Sequence, residues 1–339
     1  MVRDSSHIHL LVLRFSSLGD VAMTVPVIRQ LLDQNTSLSL TFVSDEKFAP
    51  LFYDLPRINF IGVKYRKEHS GIYGLYKLYK KLNQKEKFNA IIDLHDVIRT
   101  KILCTYFRLS GKPIYKIDKG RNEKKLLTQK NNKQLVQLTS TFERYASVFR
   151  NAGFLLELKN DPGRLKKSSV EPGKNKIIGL APFAKHAEKM YPLYKMEKVV
   201  EWISQNDFQL MLFGGGKEEA EILNDWEKRY PNVICNAGKY SFAEELKLIS
   251  QLDLMISMDS ANMHLASLYE VPVISIWGAT HPYAGFYGFG QDPSNIIQTD
   301  LYCRPCSVFG DKKCFRGDLA CLGMITPNMI ITKIQTFFS

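Results

Sequence analysis

Short apolar runs alternate along the chain with stretches whose apolar positions recur at helical spacing. In the first half the runs are HLLVLRF, LSLTFVS, INFIGV, NAIIDL and PIYKI, and segments such as VAMTVPVIRQLL and GIYGLYKLYKKL lie between them. Runs this continuously apolar fit strands covered on both faces, so the alternation predicts a parallel sheet wrapped by helices. A second series repeats the pattern with KIIGLAP, FQLMLFGG, NVICNAG, LDLMIS and VPVISIWG. Between the two series, KNDPGRLKKSSVEPGKNK (Lys159 to Lys176) is polar, rich in Pro, Gly, Ser and Lys, and without period, and it reads as a linker. An amphipathic helix from Pro327 to Phe338 closes the chain.

The expected fold class is therefore α/β, with two doubly wound domains whose sheets face each other across a cleft. Residues 1–158 form the first domain, 159–176 the linker and 177–325 the second domain, while 326–339 form a terminal helix with the option of crossing back to the first. A chain of 339 residues with 45% hydrophobic content has enough apolar material for two cores.

Open parallel sheets bind ligands outside the carboxyl ends of their strands, which directs attention to the loops there. RFSSLGD, Arg14 to Asp20, follows the first strand. Asp20 falls at the N-cap or first turn of the next helix, where a carboxylate is stabilised by unpaired amides and serves as a cap. Ser16, Ser17, Leu18 and Gly19 keep bulk away from it, which equally suits a general base facing a substrate hydroxyl. In MISMDSANMHLAS a buried strand runs into Asp259 and Ser260, and a helix from Ala261 aims free amides outward, as an anion site requires. There too the polar pair reads either as caps or as ligand contacts, and His264 either as a core histidine or as a ligand neighbour. APFAKHAEKMYP places Lys185 and Lys189 on a strand-to-helix loop behind Pro182, where a point charge could neutralise a departing phosphate. LFGGGKEEAE, with Gly215 and Glu219, is a Gly-rich turn into a helix, but it has neither the G-x-G-x-x-G order nor a GK[ST] ending.

A formal charge of +12 and a pI near 9.2 call for an anionic partner: nucleic acid, a phosphorylated metabolite or a membrane surface. The excess is clearest from Lys112 to Lys133, where eight Lys or Arg stand against two acids, although a solvated loop would show the same composition. Cys303, Cys306, Cys314 and Cys321 fit a structural zinc, a redox pair or packed free thiols; the second spacing, C-x6-C, is open for a knuckle. The first apolar run, IHLLVLRF, is too short to span a bilayer and has no small-residue cleavage site, and no later window is long enough, which places the protein in the cytoplasm.

Three of these motifs, RFSSLGDVAMTVPVIRQL, the AP-x-AK-x-AEKMYP loop and MDSANMHLASLYEVPVISIWGATHP, occur together and in order. In this they resemble the ADP-heptose:lipopolysaccharide heptosyltransferases, glycosyltransferase family 9, over nearly the whole chain. The resemblance implies two Rossmann-like domains facing across a cleft, the GT-B arrangement, and an inverting transfer of a heptose or related sugar without a metal or other cofactor. The donor would be a nucleotide-sugar, ADP-heptose, and the acceptor a phosphorylated lipopolysaccharide core or lipid-linked sugar, with the basic stretch Lys112 to Lys133 contacting acceptor phosphates or the inner membrane leaflet, so that the cytoplasmic protein would touch that membrane peripherally; nucleic acid is not implied. Asp20 would be the base and Lys189 would stabilise the departing diphosphate. Around the substrates would stand Ser16, Ser17, Gly19, Pro182, Lys185, Gly215 and His264. Glu219 would reach the ribose, Tyr240 the adenine, Asp259 the sugar hydroxyls, and the amides of Ser260, Ala261 and Asn262 the diphosphate. Family members commonly read D-T-G where this chain reads D-S-A, a departure that bears on which donor is taken. A nucleotide-dependent oxidoreductase and a non-catalytic sugar-binding relative are the competing classes; the first should show G-x-G-x-x-G after its first strand, which RFSSLGD lacks.

Overall fold

A computed structural model describes residues 7–65, 67–160 and 176–339. Most of the stretch read as a linker lies outside these residues. The chain divides into two compact units, one made of Met1–Lys119 with Thr141–Lys159 and the other of Gly120–Ser140 with Asn160–Ser339.

In the first unit the strands are β1 (Ile8–Leu13), β2 (Leu38–Asp45), β3 (Ile58–Val63), β4 (Ala90–Asp93) and β5 (Ile114–Lys116). The helices along the same stretch are α1 (Leu18–Ala22), α2 (Thr24–Gln34), α3 (Gly71–Lys85) and α4 (Ile98–Leu109); α5 (Arg121–Thr128) belongs to the second unit, and α6 (Thr141–Asn151) returns to the first. The sheet is parallel in the order β3-β2-β1-β4-β5, so the strand order reverses between β1 and β4. Leu11, Leu13, Val43 and Ile61 pack on one face against Leu78 and Leu82 of α3 and Leu103 and Phe107 of α4. The alternate residues Leu10 and Val12 are equally buried. Burial on both faces is why the runs carry almost no polar residues.

The second unit repeats the plan with β6 (Lys176–Ala181), β7 (Phe208–Leu212), β8 (Val233–Cys235), β9 (Leu254–Met258), β10 (Val273–Ile276) and β11 (Ile296–Ile297). Around them stand α7 (Leu193–Ser204), α8 (Lys217–Arg229), α9 (Phe242–Ile249), α10 (Ala261–Leu268), α11 (Ala320–Gly323) and α12 (Pro327–Phe338). The order β11-β10-β9-β6-β7-β8 is the Rossmann order, and its switch point lies between β6 and β9. Two residues of β11 are too few to carry a period. α12 seats Ile330 and Ile334 in the core of this unit, beside α7.

The basic stretch from Lys112 to Lys133 parts at Gly120, its later half joining the second unit. There Lys133 Nζ donates to the carbonyls of Cys303 and Pro305 at 2.7 and 2.9 Å, and Lys124 Nζ lies 4.5 Å from the centre of the Phe286 ring.

Gly179 sits where β6 crosses closest to its cover: an added Cβ would stand 2.4 Å from Leu252 Cδ1 and 3.2 Å from the Met255 thioether. Gly179→Val is expected to cost about 1–3 kcal/mol by overpacking. Thermal denaturation should show a lowered transition, and an unchanged one would mean that the core at β6 yields.

Candidate active site

One candidate constellation stands at the switch point of the first sheet. α1 starts at Leu18, three residues before the apolar period alone would place it, so Asp20 is the third helical residue and Ser17 the N-cap. Asp20 Oδ2 accepts hydrogen bonds from the Ser17 hydroxyl at 2.7 Å and the Ser17 amide at 3.2 Å, and pairs with Arg14 Nη2 at 2.8 Å. Arg14, buried at the end of β1, is held in turn by the Leu94 carbonyl at 2.7 Å, and its guanidinium lies 5.8 Å from the centre of the Tyr145 ring. The Tyr145 hydroxyl donates to the Asp20 carbonyl at 3.3 Å. Burial works against the charge of Asp20, yet Arg14 and the two hydrogen bonds from Ser17 outweigh it and hold the carboxyl below its ordinary range. The carboxylate is thus ionised at neutral pH while 27% of its side chain stays in contact with solvent.

Beside it, at the end of β4, His95 Nδ1 accepts from the Phe15 amide at 3.3 Å. Burial, with Arg14 and Lys119 adding to it, pushes His95 down to about 3, so this imidazole is neutral at physiological pH. Ser16, also at the strand end, and Gly19 are partly exposed, and Ser17 is exposed.

Another candidate constellation stands at the switch point of the second sheet. β6 and β9 are neighbours with Ala181 opposite Ser257, so the loops that leave them run side by side. This register brings Lys189 to Asp259: Nζ and Oδ2 are 2.8 Å apart, with side-chain exposures of 14% and 8%. Lys189 sits in a single 3-10 turn, Ala187–Lys189, and its stem lies under Gly310, where an added Cβ would stand 2.4 Å from Cγ and 2.5 Å from Cδ. Gly310 has φ +75°, and its amide is one of three, with those of Phe309 and Asp311, that donate to the Ser307 hydroxyl oxygen. The loop carrying these residues is fixed by Arg304, which donates to the carbonyls of Gly278 at 2.6 Å and Thr280 at 2.9 Å and also to Thr299.

Ser260 is the N-cap of α10, and Ala261 and Asn262 open that helix, partly exposed, with amides that no intrahelical carbonyl reaches. His264 is buried one turn further on. Because position 261 is an ordinary helical position, alanine meets no backbone demand there that glycine alone could satisfy. Glu219, in the first turn of α8, accepts from the Gly215 amide at 2.7 Å, closing the Gly-rich turn on itself. Pro182 is buried behind the lysine loop, whereas Lys185 and Tyr240 are exposed. The structure thus joins Lys189 to Asp259, and Glu219 to Gly215, within one unit; Asp20 belongs to the other.

The four clustered cysteines are free thiols, Cys303 and Cys321 buried and Cys306 and Cys314 partly so. Among the described residues no group of three or more Cys, His, Asp or Glu is placed to hold a metal ion.

The model of glycosyltransferase family 9 (heptosyltransferase) matches residues 75–313. The chain belongs to that family. It is a glycosyltransferase, which sets aside the oxidoreductase reading. The span contains Lys189, Asp259 and the Gly310 loop; Asp20 precedes it. Lipopolysaccharide heptosyltransferase 3 of Escherichia coli is 25% identical over 280 residues, covering 77% of this chain and 81% of the relative. Among solved structures, the family 9 glycosyl transferase of Veillonella parvula superposes with a TM-score of 0.73 at 18% identity, covering 99% of this chain and 98% of the other. The E. coli heptosyltransferase WaaC with ADP-2-deoxy-2-fluoro heptose follows at 0.68 and 16%, covering 97% and 99%. At such identities the superpositions show a shared fold.

Two contacts here had no local signal in the sequence. Arg14 lies inside the RFSSLGD motif, but nothing in the motif assigns it as the counter-ion of Asp20. Gly310 is far along the chain from Lys189, and only its left-handed backbone, typical of a glycine in a tight turn, hints at a close approach.

Because Asp20 titrates lower in the folded chain than its ordinary 3.8, its ionised form stabilises the fold above that value, and this contribution fades as pH falls from 3.8 toward the folded value. Asp20→Asn should therefore flatten the acid fall of the melting temperature in that window. Superimposable curves for the two proteins would show that the Arg14 pair contributes nothing. Gly310→Val is expected to displace the Lys189 stem and lower the melting temperature, since both the positive φ and the 2.4 Å approach oppose a side chain; equal melting would mean that the lysine is not held there.

Proposed function

We propose that this family 9 enzyme is an inverting heptosyltransferase that moves a heptose, or a related sugar, from an ADP-sugar to a lipopolysaccharide core or lipid-linked acceptor. The observation that carries the mechanism is the ionised, partly exposed carboxylate of Asp20 at the switch point of the first sheet. Support for the substrate class comes from relatives named as lipopolysaccharide heptosyltransferases, and from the structural neighbour titled with an ADP-heptose analogue.

The roles divide between the units. Asp20 accepts the proton of the acceptor hydroxyl as that oxygen bonds to the anomeric carbon. The bond from this carbon to the diphosphate breaks, and its electron pair leaves with the nucleotide. Attack from the face opposite the leaving group inverts the configuration. Arg14 keeps Asp20 ionised and fixed; the low basicity this imposes suits a proton transfer that comes late, after the carbon has gained oxocarbenium character. Ser16, Ser17 and Gly19 leave room for the acceptor.

On the second unit, Lys189 and the first amides of α10 offer positive potential to the diphosphate. Asp259 orients the Lys189 ammonium through one of its three donors, so the others remain for phosphate oxygens, and the carboxylate keeps an oxygen for sugar hydroxyls. With this charge supplied by the chain, the proposed reaction needs no metal. Glu219 and Gly215 line the ribose, Tyr240 the adenine, and Pro182, Lys185 and His264 complete the donor surroundings. Serine at position 260 keeps a hydroxyl at the helix mouth, which leaves transfer intact while bearing on the choice of sugar.

Asp20→Asn preserves the shape and removes the base, so turnover should fall by roughly a hundredfold or more. Transfer at the parental rate, followed by mass spectrometry of products from a panel of nucleotide-sugars and truncated lipopolysaccharide, would refute the role. For Lys189→Ala we expect a large loss of kcat with little change in the KM for acceptor, and activity unaltered by a chelator in the parent. A defect confined to acceptor KM would contradict the assignment. If ADP raises the melting temperature and no nucleotide-sugar gives product, the chain is a binding relative instead.

A further inference from the structure

The positive charge of this chain is unevenly spread. α3 and α4 together carry Lys77, Lys80, Lys81, Lys85, Arg99, Lys101 and Arg108 and contain no Asp or Glu. The two helices lie side by side on one face of the first sheet, and their apolar sides are consumed by the core through Leu75, Leu78, Leu82, Leu103 and Phe107. What remains outside is not simply polar. Ile72, Tyr73 and Leu109 are 68%, 69% and 82% exposed. Tyr76 and Tyr79 of α3 meet Tyr106 of α4 at 5.5 and 5.6 Å between ring centres, making an aromatic seam across the pair. Leu109 stands one turn beyond Tyr106. Lysines border the seam: Lys77 Nζ lies 4.5 Å from the Tyr73 ring centre and Lys80 Nζ 5.1 Å from that of Tyr76.

We propose that this α3–α4 face is a docking surface for an anionic phospholipid bilayer. Tyrosine, with an apolar ring and a polar tip, is suited to the boundary between headgroups and acyl chains, and lysine can lay its stem along that boundary with its charge toward phosphate. Ile72 and Leu109 would enter the acyl boundary, and the cations would neutralise lipid phosphates, as for an amphipathic helix lying in the interface. A protein partner would be expected to meet acids as well as bases; a surface of one sign over two helices complements a uniformly negative plane. Among the described residues no helix is long and apolar enough to cross a membrane, so contact through a face is the mode these helices allow. The Lys112–Lys133 stretch is a weaker candidate, since Lys124 and Lys133 are spent on Phe286 and on backbone carbonyls.

Co-sedimentation of the full chain with phosphatidylcholine vesicles, with and without phosphatidylglycerol, tests this without donor or acceptor sugar. Failure would leave the transferase reading untouched. The protein should bind the anionic vesicles and not the neutral ones, and about 1 M salt should release it by shortening the screening length to roughly 3 Å. Lys77→Gln/Lys80→Gln/Lys81→Gln should weaken the partition on the order of a hundredfold, and each single change about fivefold, at the usual contribution of one cation near such a surface. Tyr73→Ser and Leu109→Ser should weaken it further at unchanged net charge. Melting temperatures equal to the parent's identify folded variants, and the single changes carry the test if the triple variant melts lower. No binding to anionic vesicles, or equal binding by folded variants, would overturn the proposal. So would a face whose substitutions alter the oligomeric state while vesicle binding persists, because that would mark a contact with protein.

Discussion

A charge withdrawn from water must be paired, and both ends of the proposed chemistry rest on that constraint. Lys189 and Asp259 are each too buried to stand alone, and their 2.8 Å contact satisfies both. Arg14 and Asp20 do the same on the other unit. In each case one partner stands at a strand end, Arg14 after β1 and Asp259 after β9, and the other on a short helical turn, so the pair ties a turn to the frame of the sheet. A lysine held this way meets a phosphate without first losing its rotamer freedom, which is the kind of preorganisation that lowers a barrier.

These pairs stand where the topology concentrates polar groups. Strands covered on both faces expel charge to their ends, and at a switch point the chain leaves two adjacent strands toward opposite sides of the sheet, which opens a crevice at their carboxyl ends. The β6–β9 register then places the lysine loop beside the head of α10. The Gly310 turn presses on the lysine stem, and Arg304 ties that turn to the loop after β10. The cysteine-rich tail thus supports the lysine through its backbone and its arginine, and its thiols need form no bond for that purpose.

The net charge divides in the same way between structure and surface. Lys133 and Lys124 act as internal fasteners, and a stretch that looks like a polyanion site by composition is partly a strap within the second unit. Lys77, Lys80, Lys81 and Lys85 stand on a helix, α3, whose inner side already does the packing, so their charge is available outward, whereas Lys101 of α4 pairs with Asp96 at 3.4 Å.

Fold class was legible in the chain because a strand buried on both faces must be apolar throughout and a covering helix must repeat its apolar positions; these are local demands written locally. Two of the family motifs were legible for a related reason, since at RFSSLGD and at MDSANMH a helix follows a strand within a few residues and small or acidic residues mark that step, whereas the lysine motif lies on a long loop between β6 and α7. What the sequence could not assign was partnership. Nothing near Arg14 names Asp20 as its counter-ion rather than a helix end, nothing near Lys189 names Asp259 or Gly310, and the joining of Gly120–Ser140 to the second unit leaves no trace in composition. Strand order and register bring such residues together across long separations in sequence, and a contact between distant residues has no period to betray it. Burial could be read along the line of the chain; only the assembled sheets decided which charges meet.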